Sequence, residues 1–438
     1  MVRYTSSILL ASLAATSVWA ASSPPSCSTS SQCPEEYPCC SPLCGITSSA
    51  NARLEYGQCG TGAYCLGGCD PISSYSLDSC VGEPVCQSKT YKWDSLDSAA
   101  LNTKYLGNAS EYDWVYSGYP KLDDGNLLLT MPKNTVGTLF ANNHYVWYGK
   151  ISGKVKSSRG AGVVTAFILL SDVKDEIDFE WIGADLANVQ TNYYWQGVLN
   201  YNNGDKDAVN GSDTFDDWHE YEIDWKEDAI TWSVDGQVKR TLTKESTWNE
   251  TAKRYQYPQS PSRMQLSLWP AGQASNAPGT IEWAGGEIDW DSQDIKDKGY
   301  YYATFSDITV ECYDAPNGTV SNGNKSYMFT NKDGLQQSVQ ITNNDTVLAS
   351  FGATGLDMDL GASDSSSSGT NGTVPENQGG SGNVPGSSSS TTSGSSSTSS
   401  GFSQGSSTDT SGAPSQNERV MRGSFFAALV AVVVLVAL

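Results

Sequence analysis

Basic residues are scarce in this chain. Twenty-six lysines and arginines face 48 acids, leaving a formal net charge of −22 and an isoelectric point near 4.3. Such a surface repels phosphates, which excludes nucleic acid as a partner. Histidine is scarcer still, with only His144 and His219. Two isolated imidazoles make no metal site without further ligands, so neither a metal nor a cofactor is expected, and His219 reads as a structural member of its strand. Cysteine is nearly missing beyond residue 86: ten of the 11 lie between Cys27 and Cys86, and Cys312 stands apart. Long helical periods are lacking too. Aromatics, by contrast, are plentiful, with 13 Trp and 23 Tyr. That suits carbohydrate binding, although all-β cores are also rich in Tyr and Trp.

From about Tyr91 to Tyr313 the chain alternates short apolar–polar runs with Gly, Asn and Asp turns. Examples are 126–131, 230–234 closed by Asp235-Gly236, and 263–269. Regular strands of this kind predict an all-β fold, two curved antiparallel sheets in a jelly-roll type β-sandwich. Asp235-Gly236 is a hairpin signal. A concave face would form an open groove, which suits a polymer better than a closed pocket does.

The densest chemistry lies in Glu176-Ile177-Asp178-Phe179-Glu180-Trp181. On a strand, Glu176, Asp178 and Glu180 share one face and Ile177, Phe179 and Trp181 the other. On a helix the acids could not line one cleft. The Cα atoms of Glu176 and Glu180 would lie ~13 Å apart, and each side chain reaches toward the other. A carboxyl separation of ~5–5.5 Å, that of a retaining glycosidase pair, is then attainable. Asp178 between them can push the two Glu pKa values apart. The alternative is an acidic, solvent-facing strand in an acidic protein. Glu220-Tyr221-Glu222-Ile223-Asp224-Trp225 repeats the alternation and Glu287-Ile288-Asp289-Trp290 echoes it.

Following the apolar run 163–170, the 176–180 motif resembles the active-site strand of glycoside hydrolase family 16. Three further stretches resemble the fungal cell-wall Crh transglycosylases within it: Tyr148-Gly149-Lys150 leading into Gly160-Ala161-Gly162, the segment Trp218-His219-Glu220-Tyr221, and 279–286. The resemblance covers roughly residues 80–315. It implies a retaining enzyme with Glu176 as nucleophile, Glu180 as acid and base, and Asp178 orienting the pair. Its implied partners are chitin and β-glucan, the first cut and transferred to the second. It also implies that Trp269, Thr280 and Trp283 line the donor sites; Arg263 and Trp195 are further candidates on the groove. A hydrolase of β-1,3(4)-glucan or chitin, or a non-catalytic wall adhesin, are the other readings.

The flanks are of different composition. Residues 1–20 read as a secretory signal peptide, with Arg3, an apolar stretch and a small-residue end at Ala20. Residues 21–79 resemble a hevein-type chitin-binding module that disulfides must hold, and Ser41, Tyr56 and Tyr64 match its sugar-binding positions. Pro42 to Glu55 is longer than the usual connection, and Gln58 replaces a usual aromatic; a disulfide knot without sugar binding is the other reading. Cys80 and Cys86 suggest a local bridge at the start of the catalytic domain, residues 80–315, leaving Cys312 as the odd thiol. Residues 316–411 are expected as a stalk, of which 363–411 is Ser-, Thr- and Gly-rich and cannot bury enough to fold. Sequons at Asn108, Asn210, Asn249, Asn317, Asn324, Asn344 and Asn371 fit a secreted glycoprotein. The end combines small residues 411–413, a polar spacer and a terminal apolar run too short for a comfortable span. That is the layout of a GPI-attachment signal at Ser411, with 412–438 removed and the protein held at the cell surface by its anchor. A phosphatidylinositol-specific phospholipase should therefore release the protein from membranes; retention after treatment would rule the anchor out.

Overall fold

The computed structural model describes residues 25–42, 57–198, 200, 202–209, 211 and 213–362. Two large sheets face one another. The first runs, edge to edge, through Asp205–Ala208, Asn188–Tyr194, Glu176–Ile182, Val164–Ser171, Ser262–Trp269, Thr138–Val146, Trp114–Ser117 and Ala99–Leu101. All its pairs are antiparallel except the last, which is parallel. The second runs through Gln237–Thr243, Ala229–Val234, His219–Trp225, Gly149–Lys156, Tyr300–Cys312, Asn126–Pro132 and Tyr119–Asp123, with Lys89–Tyr91 laid along Tyr300–Cys312. The expected all-β sandwich is what the chain forms. At the expected hairpin, Asp235 and Gly236 take φ of 50° and 73°, the left-handed conformations that a tight two-residue turn needs.

The core between the sheets is aromatic. Phe179, Trp181 and Tyr221 pack with ring centroids 4.6–6.1 Å apart, and Trp114, Trp147, Trp225 and Trp232 are fully buried. Their N–H groups are accommodated: Trp232 Nε1 donates to the carbonyl of Asp178 at 3.0 Å, and Trp225 Nε1 to that of Pro258 at 3.2 Å.

Two expectations change here. Cys86 pairs with Cys312, while Cys80 pairs with Cys69, so the predicted Cys80–Cys86 bridge and the odd Cys312 thiol are both wrong. The cause is local pairing. Lys89–Tyr91 zips antiparallel along Ile308–Val310, and the N–H of Cys312 donates to Ser88 Oγ, which brings Cys86 alongside Cys312. The remaining bridges are Cys27–Cys40, Cys33–Cys59 and Cys39–Cys65; Cys44 lies outside the described residues. Residues 316–362, expected as the start of the stalk, are folded. Ser326–Phe329 pairs with both Val339–Thr342 and Glu83–Pro84, and Leu348 and Ala353 join the apolar cluster beneath the cysteine-rich module. The expected signal peptide, the 363–411 stalk and Ser411 fall outside the described residues, as do Asn210 and Asn371. Asn317, Asn324 and Asn344 are exposed, and Asn108 and Asn249 half-buried.

The Cys86–Cys312 bridge closes a separation of 226 residues, so its removal acts on the entropy of the unfolded chain. Replacing both residues by Ser should lower the unfolding free energy by about 4 kcal/mol in denaturant titration; an unchanged midpoint would refute that.

Candidate active site

Strand Glu176–Ile182 is buried on both faces. Ile177, Phe179 and Trp181 enter the core, and Glu176, Asp178 and Glu180 point out of the other side of the sheet, 1%, 1% and 3% exposed. The neighbouring strands give this row two unlike flanks. On one side the cross-strand partners are Leu170, Ile168 and Ala166; on the other they are Tyr194, Asn192 and Gln190. The sibling motif folds oppositely. In His219–Trp225 the residues Tyr221, Ile223 and Trp225 face the same core from the second sheet, and the acids turn toward solvent and lysines. Glu222 lies 3.8 Å from Lys150, and Asp224 2.6 Å from Lys226. The echo 287–290 is a loop.

Burial, with no salt bridge to the row among the described residues, sets the electrostatics. Burial, then the charges of Asp178 and Glu180, push Glu176 well above the usual carboxylate range. Glu180 is likewise raised by burial and by Asp178. Asp178 is pushed up to about 7 by burial, held back by a proton shared with Glu176 and by the charge of Arg240 beneath the sheet. Its two oxygens meet no other hydrogen-bond donor among the described residues. Such a row titrates as a unit, each charge in it disfavouring the next. Just before it, buried Asp175 accepts bonds from the N–H groups of Gln196, Gln259 and Ser260 and from Ser260 Oγ. Burial still raises it to about 6.

The expected substrate-binding residues divide. Trp269 and Trp283 stack with centroids 6.3 Å apart and a 21° interplanar angle. Together with Val164, Ala166, Ile168 and Ile182 they form an apolar wall beside Glu180. Trp283 and Thr280 lie on the short helix Pro278–Trp283, which starts with a proline and ends in Gly285 and Gly286 at positive φ. A Cβ on Gly285 would sit 2.4 Å from that of Ala184, so glycine there lets the helix close onto the sheet. Trp283 Nε1 donates to Gln190 Oε1 at 3.0 Å, tying the helix to the strand beside the acids. Trp195 follows Tyr194 at the end of that strand, with Arg254 5.7 Å from its ring centre.

Arg263 does not join the row. Its backbone pairs with Leu170, itself the partner of Glu176. Its guanidinium, however, runs beneath the cysteine-rich module, into a cavity of about 20 Å³ with Glu83, Asp172 and Tyr145. A Cβ on Gly67 would meet it at 1.8 Å. In the module, Ser41 and Tyr64 are both buried, and the Tyr64 ring lies against Gly60 among Leu66, Leu348 and Ala353. Tyr64 thus shows no open ring face for sugar stacking, and Ser41 Oγ is buried with no hydrogen-bond partner among the described residues; Tyr56 lies outside the described residues. His219 bonds Asp235 at 2.7 Å and packs edge-on to Tyr221, a structural place. The sulfurs of Cys27, Cys33 and Cys59 cluster as metal ligands would, but all three are spent in disulfides.

Asn192 and Ser267 escaped the sequence reading, whereas Trp195, Trp269 and Thr280 were expected. Both polar atoms of Asn192, Ser267 Oγ, Trp195 Nε1, Trp269 Nε1 and Thr280 Oγ1 are buried with no hydrogen-bond partner among the described residues, as are oxygens of all three acids. Buried polar groups are paired in nearly all folded proteins. Asn192, Ser267 and Trp269 share the acids' face by register, and their clustering there marks where a polyhydroxylated ligand would supply the bonds. The signal for Gln190, Asn192 and Tyr194 was present in the sequence, since Val189, Thr191 and Tyr193 alternate with them toward the core.

Sandwich and acid row together define a glycosidase-type enzyme. The family model of glycosyl hydrolases family 16 matches residues 108–285. Over its whole length the chain aligns with all of Crh-like protein 2 of Aspergillus fumigatus, at 69% identity. It is 46% identical to Congo red hypersensitive protein 2 of Saccharomyces cerevisiae over 78% of this chain and 70% of that one. Among solved structures it is similar to Crh5 transglycosylase in complex with NAG, at 30% identity and a TM-score of 0.49, over 60% of this chain and 98% of that one. The chain belongs to the Crh-like proteins of glycosyl hydrolases family 16.

The raised carboxyls carry a pH dependence of known sign. Asp178 at about 7, Asp172 and Asp175 at about 6, and Glu83, Glu176 and Glu180, each raised well above the usual carboxylate range by burial, all bind protons more tightly folded than unfolded. Their contribution to stability is therefore complete below the unfolded values near pH 4 and is lost as pH rises through the folded ones. Thermal unfolding between about pH 4 and 8 should show Tm falling with pH, and Asp178→Asn should flatten that fall. A Tm that climbs over this range would contradict the assignment.

Proposed function

We propose that this chain is a retaining transglycosylase of the cell wall that cuts chitin and transfers it to β-glucan. The observation that carries this reading is the row Glu176, Asp178 and Glu180, raised by burial and surrounded by polar atoms that lack partners among the described residues. The Glu176 carboxylate attacks the anomeric carbon as the bond to the leaving oxygen breaks, and Glu180 gives its proton to that oxygen. The raised pKa of Glu180 favours the protonated form that this step needs. In the second half Glu180, now a base, takes the proton of an incoming sugar hydroxyl. That oxygen attacks the anomeric carbon, and Glu176 departs as carboxylate. Asp178 holds the proton balance between the two by sharing one proton with Glu176. Trp269 and Trp283 offer the aromatic wall, and Thr280, Asn192 and Trp195 the hydrogen-bonding groups, for the sugars on either side.

The acceptor decides between transfer and hydrolysis, since water and sugar attack the same intermediate. The protein acts outside the cell, exported by the 1–20 signal and held by a GPI anchor at Ser411, where chitin and β-glucan meet.

The chain and its Glu176→Gln variant, incubated with chitin oligomers and a fluorescent laminarin- or pustulan-type acceptor, separate the readings. Label should move onto longer hybrid chains with the unmodified enzyme and fall by about 10³-fold or more with the variant. Cleaved donor without labelled hybrid would mean a hydrolase. Both sugars unchanged would mean a wall adhesin.

A further inference from the structure

The turn 172–175 delivers the chain from Val164–Ser171 into Glu176, and it is gripped from two directions. From within the sandwich, Asp175 is fixed by the backbone of Gln196, Gln259 and Ser260. From outside, the grip belongs to the cysteine-rich module. The N–H of Gly68 donates to Asp172 Oδ1 at 2.9 Å, the atom that also accepts Tyr145 OH at 2.8 Å. Lys174 Nζ lies 2.8 Å from Asp70 Oδ2, a pair whose carboxyl is 3% exposed. Asp70 is itself rigid, accepting from Ile72 N, Ser73 N and Ser73 Oγ and standing next to the Cys69–Cys80 bridge. Lys174 takes a φ of 70°, a left-handed conformation uncommon for a side chain of this size. Conformations of this kind persist where their surroundings over-determine them.

Glu176 depends on this turn more than Glu180 does. Glu180 sits inside the ladder with Val164–Ser171, which runs on through Trp181 and Ile182, whereas Glu176 is the first residue of the strand and an end pair of both its ladders. Its aim is set by the ladder on one side and by the turn on the other.

We propose that the cysteine-rich module is a positioning element of the active site: through Asp70–Lys174 and Gly68–Asp172 it holds the turn before Glu176 and fixes the placement of that carboxyl. The proposal rests on Glu176 being the nucleophile. It gives the module a task that needs no sugar contact, consistent with the burial of Ser41 and Tyr64. The module is then a fixed part of the catalytic unit, docked over Ala100, Val115 and Ala141 of the acid-bearing sheet.

The test uses the full chain and a short, soluble chitin oligomer as donor. Lys174→Met and Asp70→Asn should each lower kcat about tenfold while KM stays within about twofold, the pattern of a misplaced catalytic group. The double variant should fall no further than the worse single one, and Lys174→Arg should recover most of the rate. Unchanged kcat in these variants overturns the proposal, and so does a raised KM with kcat intact, which would mean that the module touches sugar. Should Asp70→Asn fail to fold, Asp172→Asn replaces it with the same expected loss of kcat. Glu176→Gln, measured alongside, separates the two levels: activity in that variant would remove the nucleophile assignment itself, not the role of the module.

Discussion

The two-residue period of Glu176–Ile182 is the constraint on which the rest of the structure depends. Its apolar side chains lie in the most aromatic part of the core, and its acids come out on the opposite side. A slip of one residue would drive three carboxyls into that core and lift Ile177, Phe179 and Trp181 out of it. Register is therefore held with the full weight of core packing, and the carboxyl positions inherit that rigidity. The bond from Trp232 Nε1 to the carbonyl of Asp178 extends it across the sandwich, since the second sheet then fixes the backbone beneath the central acid.

How much of this was legible depends on whether the deciding interaction is local. The strand was readable because its period lies in seven consecutive residues. Its difference from Glu220–Trp225 was not, because the two strands are alike in isolation and differ in what their acid faces meet. One faces Gln190, Asn192 and Tyr194 under cover, and the other faces Lys150, Lys226 and solvent. Cys86 and Cys312 stand 226 residues apart, and nothing short-range announces their bridge. Arg263 shows the same limit on one side chain. Its strand and face follow from the sequence, but its guanidinium turns toward Glu83 and Asp172, which come from remote segments.

The region matched by the family model, residues 108–285, does not contain a complete sandwich. Lys89–Tyr91, Ala99–Leu101 and Tyr300–Cys312 complete the two sheets, and the last of these lies inside the second, between Gly149–Lys156 and Asn126–Pro132. Segments outside the sheets then close around them. The module and residues 316–362 are joined by bonds from Thr61 Oγ1 to the carbonyl of Phe351, from Gly62 N to that of Ala353, and from Gly355 N to that of Ser79. Hydrophobic burial and these paired backbone groups make the two flanks one layer over the sheet. The Cys86–Cys312 bridge fastens the two ends of the sandwich where that layer begins.

Burial of the acid row also bears on the fate of a glycosyl-enzyme. In the proposed mechanism water could intercept such an intermediate only by reaching the anomeric carbon with Glu180 as its base, and Glu180 is 3% exposed. Two requirements then coincide. The buried groups of Asn192, Ser267, Trp269 and Thr280, without hydrogen-bond partners among the described residues, would gain bonds from a ligand rich in hydroxyls. A sugar that supplies those bonds also displaces water from the approach to Glu180. Sugar and water thus compete on unequal terms, because the sugar is bound where it reacts and water must arrive unassisted. The same desolvation that raises the pKa of Glu180 therefore favours transfer over hydrolysis once an acceptor is in place.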